Sequence, residues 1–292
     1  DDEWAKVDIA AAGTMRPPWT QNRSRVLPNW FGALEAGTEY DDYRFRRCAY
    51  LRIGQGYGHA HQDTLDLGVY AHGLPMTTEG GQRPGYGKPS DGSSRMHNLV
   101  EVDDHGWQSH SWVSSLADAE GARYMAAEAV PPASFPGVTQ RRRQIALVDV
   151  AQGTGARPLT PAEMHPDFDK LAPEVTTPES YVFDVNRVAG GRTHTYCFNG
   201  NSEDEFSVNA DARSPITSLT GNEQRYLADY SDPKKCFGGD ARGTVIATWR
   251  LNRDKLKSRG PEQLHARFPW AETVSRKYTR LHLLEQQGGR VM

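Results

Sequence analysis

Apolar and polar positions alternate along the stretch from His59 to Ala71. Apolar side chains occupy every second position from Leu65 to Ala71, and His59, His61 and Asp63 continue the same parity on the N-terminal side. Successive side chains of a strand point to opposite faces of the sheet. The pattern therefore predicts a β-strand whose apolar face is extended by two imidazoles and a carboxylate.

Similar alternation, or short apolar runs bounded by turn residues, predicts further strands. They cover residues 43–53, 74–78, 97–103, 144–150, 181–188, 193–198, 244–251 and 278–284. Ala189-Gly190-Gly191 predicts a hairpin between the strands on either side of it. The alanines of residues 117–130 favour a helix while the flanks favour a strand, and residues 261–277 are compatible with a short helix.

Many strands without regular intervening helices indicate an all-β fold, an antiparallel β-sandwich and not a (β/α) barrel. Residues 1–40 show little periodicity and are predicted to be an irregular lead-in. Residues 41–292 are predicted to form the β-sandwich domain, and the sequence leaves open whether this domain is complete at its C-terminus. Gly54, Gly56 and Gly58 are predicted to loosen the backbone ahead of the histidines.

Composition narrows the class of protein without deciding the number of domains. The 292 residues include 28 Gly and 18 Pro, which suits a globular protein rich in turns. A balance of 34 basic and 37 acidic residues gives a net charge of -3, so no global field favours nucleic acid or an anionic membrane. The sequence has no membrane-spanning apolar run, no signal peptide and no initial Met, so we expect a mature form or a piece of something longer.

Two histidines and a turn carboxylate suggest a metal site. Zinc takes three or four N, O or S ligands, usually from different elements. His61 lies at the start of one predicted strand, Glu79 follows the next hairpin, and His97 begins a third strand, so neighbouring strands could supply one ligand each. Asp63 could replace Glu79 or fix the tautomer of a histidine. Hydrogen-bonded polar side chains at strand ends explain the same residues without a metal.

Four motifs in order carry a family resemblance. They are Gly58–Asp63 (GHAHQD), Thr77–Gly81 (TTEGG), Arg95–Asp103 (RMHNLVEVD) and Tyr181–Gly191 (YVFDVNRVAGG). Together they resemble the heparinase II/III-like polysaccharide lyases, and the resemblance covers residues 40–200 well and the remainder weakly. It implies a large antiparallel β-sandwich, called a supersandwich, which an α/α toroid normally precedes. We expect that toroid to be missing from these residues and to lie in the same longer protein or in another chain.

The resemblance also implies roles for individual residues. His61, Glu79 and His97 correspond to the zinc ligands of the family, although the family usually has Asp at the turn. The zinc is expected to be structural, because a ligand set closed by protein leaves no position for substrate. His59 would face the substrate carboxylate near the cleft, and Tyr86 would take part in proton transfer.

The activity implied is β-elimination on an acidic, uronate-containing polysaccharide. One group removes the C5 proton, another protonates the departing O4, and a positive group neutralises the carboxylate. Arg83, Lys88 and Arg95 are candidate carboxylate or sulfate ligands, or charged residues of a solvated loop. His194 is predicted to be a hydrogen-bonded interior residue near the cleft. Arg141-Arg142-Arg143 is either an anion patch or a charged strand edge.

Two other functions stay open at this stage. A β-sandwich can be a non-catalytic carbohydrate-binding or scaffold domain. A cupin-like metalloenzyme also uses H-x-H followed by an acid and a later His, although only Asp66 lies close behind this H-x-H. If the substrate is a long polysaccharide, we expect a periplasmic or secreted protein, because such a polymer does not enter a cell unprocessed.

Overall fold

The computed structural model divides the chain into two compact units. Unit 1 comprises Asp1–Gly56, Leu67–Leu74 and Ser109–Gly190, and unit 2 comprises Tyr57–Asp66, Pro75–Gln108 and Gly191–Met292. Within these units the structure describes residues 24–37, 46–54, 61–71, 74–77, 94–106, 108–119, 121–131, 135, 137–151, 179–200, 205–209, 214–215, 237–240, 243–250, 278–286 and 290–291.

The described residues form β-strands and one short 3₁₀ helix, Ser94–Met96. In chain order the strands are β1 (Arg25–Leu27), β2 (Phe31–Ala36), β3 (Arg47–Arg52), β4 (Leu67–Ala71), β5 (Leu74–Pro75), β6 (Val100–Val102), β7 (Ser111–Ala119), β8 (Ala122–Ala129), β9 (Val138–Ala151), β10 (Glu179–Gly190), β11 (His194–Tyr196), β12 (Glu205–Val208), β13 (Ser214–Pro215), β14 (Phe237–Asp240), β15 (Gly243–Arg250), β16 (Tyr278–Gln286) and β17 (Arg290–Val291). The prediction of an all-β sandwich is confirmed. Among these residues no helix is long and apolar enough to cross a membrane.

Unit 1 is built on two antiparallel sheets that pack face to face. One has the strand order β1-β2-β3-β4-β5 and the other β10-β9-β8-β7. Strand β2 contacts β8 and β9, and β3 contacts β9. Leu34 and Leu51 from the first sheet and Met125 and Ile145 from the second are completely or almost completely buried. Removal of these apolar side chains from water stabilises the sandwich.

Unit 2 contains three smaller antiparallel sheets. Their strand orders are β11-β6, β12-β15-β16 and β13-β14-β17. Strand β6 is buried at all three positions, and Val102 is completely inaccessible. The 3₁₀ helix and the bend at residues 97–99 lead directly into β6, so the polar residues just before this strand are held by a buried element.

Two strands lie where an irregular lead-in was predicted. Residues 25–36 contain β1 and β2, and β2 pairs along its whole length with β3. Four of the six residues of β2 are buried. Some of these four are neighbours in the sequence, and neighbouring side chains point to opposite faces of the sheet. Burial on both faces removes the alternation that reveals a half-exposed strand. The sequence analysis was therefore wrong for residues 25–36.

The strand predicted from His59 onward begins only at Leu67. Residues 61–66 contain a turn, in which the Asp66 N–H donates to the Asp63 carbonyl at 2.9 Å and Leu65 has a φ of 62°. Leu65 is nonetheless buried. The even spacing of His61, Asp63 and Leu65 therefore does not place them on one face of a strand. Residues 55–60 lie outside the described part of the chain.

The predicted hairpin at Ala189–Gly191 is also wrong. Strand β10 pairs with β9, whereas β11 pairs with β6. Gly190 and Gly191 have φ values of 96° and 79°, a conformation that glycine adopts without a Cβ penalty. Of the ambiguous residues 117–130, residues 117–119 belong to β7 and residues 122–129 to β8, which pair antiparallel. The short helix predicted within residues 261–277 lies outside the described residues.

Gly54 is fixed in place, contrary to the prediction that it loosens the backbone. Its N–H donates to the Ser111 carbonyl at 2.9 Å, and its φ is 90°. A Cβ at this position would lie 2.2 Å from the Cα of Asn29. Both its left-handed conformation and this close backbone approach require glycine. The sandwich thus holds the end of β3 firmly where the chain leaves for the histidine motif.

Arg141, Arg142 and Arg143 are neither an anion patch nor a strand edge. They belong to β9, which lies between β10 and β8. Arg141 and Arg143 are buried, and Arg143 makes two hydrogen bonds of 2.7 and 2.8 Å with Asp184 of β10. Arg142 forms an ion pair with Glu128 of β8. Successive arginine side chains point to opposite faces of the sheet, and each face supplies a carboxylate that pairs with an arginine.

Candidate functional site

His61 and His97, which are 36 positions apart in the sequence, lie side by side in unit 2. Their ring centroids are 5.3 Å apart and the ring planes are inclined by 45°. His97 is completely buried, and His61 is partly exposed. The Ser94 hydroxyl donates to the Gln62 carbonyl at 2.6 Å, which ties the segment after His61 to the 3₁₀ helix before His97.

Asp66 holds the residues around His97 from one side. One carboxylate oxygen accepts a hydrogen bond from the Asn98 N–H at 2.6 Å, and the other lies 3.3 Å from Nδ1 of His97. Asp66 is only 4% exposed. A buried carboxylate needs such partners, because an isolated charge in a low-dielectric interior is costly.

Asn199 holds the same segment from the other side, through the backbone. Its side-chain amide donates to the carbonyls of Arg95 and His97 at 3.3 and 3.2 Å. Its own N–H donates to the side-chain carbonyl of Asn98 at 2.6 Å. The His97 segment is therefore fixed by contacts to two distant parts of the sequence, Asp66 and Asn199.

The separation of the two imidazoles can be compared with that of two histidines on one zinc ion. With Zn–N distances near 2 Å and tetrahedral angles, two imidazoles on one ion have ring centres about 5 Å apart. The 5.3 Å between His61 and His97 agrees with this separation. Glu79, the third predicted ligand, lies outside the described residues. Among the residues that are described, no set of three His, Cys, Asp or Glu side chains is arranged to hold a metal.

The structure places two of the other predicted site residues. Arg95 is mostly buried, and its guanidinium pairs with Glu101 at 3.0 Å and with Asp104 at 3.6 Å. His194, predicted to be an interior residue, is instead exposed at the start of β11. The remaining predicted site residues, His59, Tyr86, Arg83 and Lys88, lie outside the part of the chain that the structure describes.

Near His194, the carboxyl group of Asp103 has a pKa that is shifted from its ordinary value. The N–H groups of Arg192 and Thr193 donate to the same carboxylate oxygen at 2.8 and 2.7 Å. These two hydrogen bonds stabilise the ionised form and lower the pKa of Asp103 below its ordinary value, with smaller contributions from the charges of Arg192 and His194. The contacts fix the loop that enters β11.

Sequence reasoning missed Asn199, and it named Asp66 only as the acid of the cupin-like alternative and not as a partner of His97. The alternation extrapolated from β4 puts Asp66 on the face opposite His61, whereas the turn at Leu65 directs its carboxylate toward His97. Asn199 follows β11, outside the four motifs. Only the left-handed conformation at Leu65 brings Asp66 into the site, and a leucine gives no sequence signal for it.

Comparison with known proteins yields structural neighbours only. No family model matches the chain, and no curated protein matches it. Similar solved structures include the heparan sulfate lyase HepC from Pedobacter heparinus, with 10% identity, a TM-score of 0.37, and coverage of 71% of this chain and 42% of that one. A heparinase III gene product shows 10% identity and a TM-score of 0.38, with coverage of 84% and 44%. The chain thus spans less than half the length of these two proteins.

Proposed function

We propose that this chain is the β-sandwich portion of a polysaccharide lyase that cleaves an acidic, uronate-containing polysaccharide by β-elimination. The observation that carries the proposal is the pairing of His61 with His97 at 5.3 Å. These residues come from two separate motifs of the resemblance, and they are the two histidines for which it implies a common metal ion. The all-β sandwich architecture is compatible with this family.

In this proposal, His61, His97 and Glu79 hold a zinc ion. The proposed role of the ion is structural, because it would brace the segments that precede β4 and β6. Burial of His97 and the carboxylate beside it suit an imidazole that binds a metal. The proposed partners are an acidic polysaccharide, as substrate, and a helical toroid domain in the same or another chain. The proposed location is periplasmic or secreted.

The proposal assigns the chemistry to His59 and to residues that follow Glu79 in the sequence. His59 and Tyr86 are proposed to carry the proton transfers at C5 and O4. Arg83, Lys88 and the exposed His194 are proposed contacts for carboxylates or sulfates. Arg95 could join them only if a substrate anion replaced Glu101 or Asp104 as the partner of its guanidinium.

The proposal is tested by incubating the purified chain with heparin, hyaluronan, alginate and polygalacturonate while following the ultraviolet absorbance of the unsaturated uronate product. We expect product from one of them, and a loss of about 100-fold or more in the His59→Ala variant. The matched control is His110→Ala, because His110 is exposed and stacks on Trp112 in unit 1. That variant should retain full activity.

Unchanged activity in His59→Ala would contradict elimination by this chain. Absence of product from all four polysaccharides with zinc bound would instead assign the missing catalytic groups to the helical toroid domain, without which the sandwich portion would then be inactive. Binding of a polysaccharide without cleavage would instead favour the non-catalytic carbohydrate-binding alternative.

A further inference from the structure

We infer that Asp66 is a positioning residue, which sets the His97 imidazole in the tautomer and orientation that a metal ion requires. This inference rests on the proposed function, because the metal site belongs to it. Asp66 is not one of the proposed ligands. Its role follows from contacts within unit 2 that none of the four motifs indicates.

The two carboxylate oxygens of Asp66 have different neighbours, the ring of His97 and the backbone of Asn98. One oxygen accepts from the Asn98 N–H at 2.6 Å, and the other lies 3.3 Å from His97 Nδ1. A carboxylate next to Nδ1 favours the proton on that nitrogen. The lone pair then belongs to Nε2, on the far side of the ring, and Nε2 is the atom that a metal would bind. Carboxylates orient metal-binding histidines in this manner.

The position of Asp66 is itself fixed by a turn. Its N–H donates to the Asp63 carbonyl at 2.9 Å, and the preceding Leu65 adopts a φ of 62° with its side chain buried. A non-glycine residue holds this conformation only where the surrounding structure compensates for it. The turn thus directs the carboxylate at His97 and at the same time connects it to His61, five residues earlier.

Asn199 provides a matched comparison within the same site. It contacts the His97 carbonyl and the Asn98 side chain, and none of its hydrogen bonds described above reaches the imidazole. Loss of Asn199 should therefore weaken the fold around the site, whereas loss of the Asp66 charge should alter the ring. Asp66→Asn is the informative change, because the Asn carbonyl can still accept from the Asn98 N–H. Its NH₂ group would donate to Nδ1 and favour the tautomer with a proton on Nε2.

The test measures zinc affinity by chelator competition, and the unfolding temperature of the zinc-free protein, for the wild type, Asp66→Asn and Asn199→Ala. We expect Asp66→Asn to weaken zinc binding by about 10- to 100-fold. Asn199→Ala should lower the unfolding temperature more than Asp66→Asn does, with an affinity within a few-fold of the wild type. Equal zinc affinity in the wild type and Asp66→Asn would overturn the inference and leave the proposed function intact.

A second measurement does not depend on any variant folding. The ¹⁵N chemical shifts of the His97 ring in the zinc-free wild type should show the proton on Nδ1, and a proton on Nε2 would overturn the inference. If the wild-type chain binds no zinc, the proposed metal site is excluded, and with it the role of Asp66 in metal binding. The two failures are therefore distinguishable.

Discussion

Asp103 illustrates how two backbone N–H groups control a single carboxylate. Because they lower its pKa in the folded chain, Asp103 contributes stability above the pKa of the unfolded state. That contribution is lost as the pH falls through the lowered value. We expect the stability difference between the wild type and Asp103→Asn, measured by urea unfolding, to be largest near neutral pH and to shrink below about pH 3.8. A difference that stays constant to low pH would contradict this account.

Cys48 shows the opposite effect at residue scale. Burial, with a further contribution from the Glu35 charge, raises the pKa of its thiol to about 12. The thiol therefore stays protonated at neutral pH, as expected of a structural cysteine and not of a reactive one.

At the scale of elements, the buried ion pair between β9 and β10 is a clear stability determinant. Arg143 is completely buried and Asp184 also accepts from Asn186 at 3.1 Å. Asp184→Ala would leave a buried guanidinium without its carboxylate, so we expect a loss of about 3–5 kcal/mol in the free energy of unfolding. Urea unfolding measures it.

The adjacent pair of Arg142 and Glu128 serves as the control. Both side chains are about a third exposed, so Glu128→Ala should cost less than about 1 kcal/mol. The double variant Arg143→Met with Asp184→Leu should lose less than Asp184→Ala alone, since it removes both charges. A cost for Asp184→Ala no larger than that for Glu128→Ala would contradict the assigned role of the buried pair.

The sequence predicted four of the long strands well, but it did not identify β7 and β8 and it predicted the tightly buried or turned segments poorly. Strands β9, β10, β15 and β16 appear where alternation indicated them. Strand β2 was not predicted because both of its faces are buried. Residues 61–66 were assigned to a strand because the residues of a turn can show the same period-two spacing. In the site, His61 and His97 were identified from motifs, whereas Asp66 depends on the conformation of Leu65, which local pattern does not encode.

At the scale of the whole molecule, the proposal gives the two units different roles. The face-to-face sheets of unit 1 supply the sandwich, and the residues around His61, Asp66 and His97 in unit 2 supply the candidate metal site. A net charge of -3 gives no general attraction for an acidic polysaccharide. The proposed binding of such a substrate therefore relies on particular cationic side chains and not on the net charge of the chain.

The measurement that tests the account most directly is the zinc content and unfolding temperature of the wild type, His61→Ala, His97→Ala and His59→Ala. We expect one zinc per wild-type chain, retained in His59→Ala. His61→Ala and His97→Ala should lose the metal and unfold at lower temperature together, because the metal stabilises only the folded state. No zinc in the wild type, or equal zinc loss in all three variants, would contradict the central claim that His61 and His97 share a metal ion.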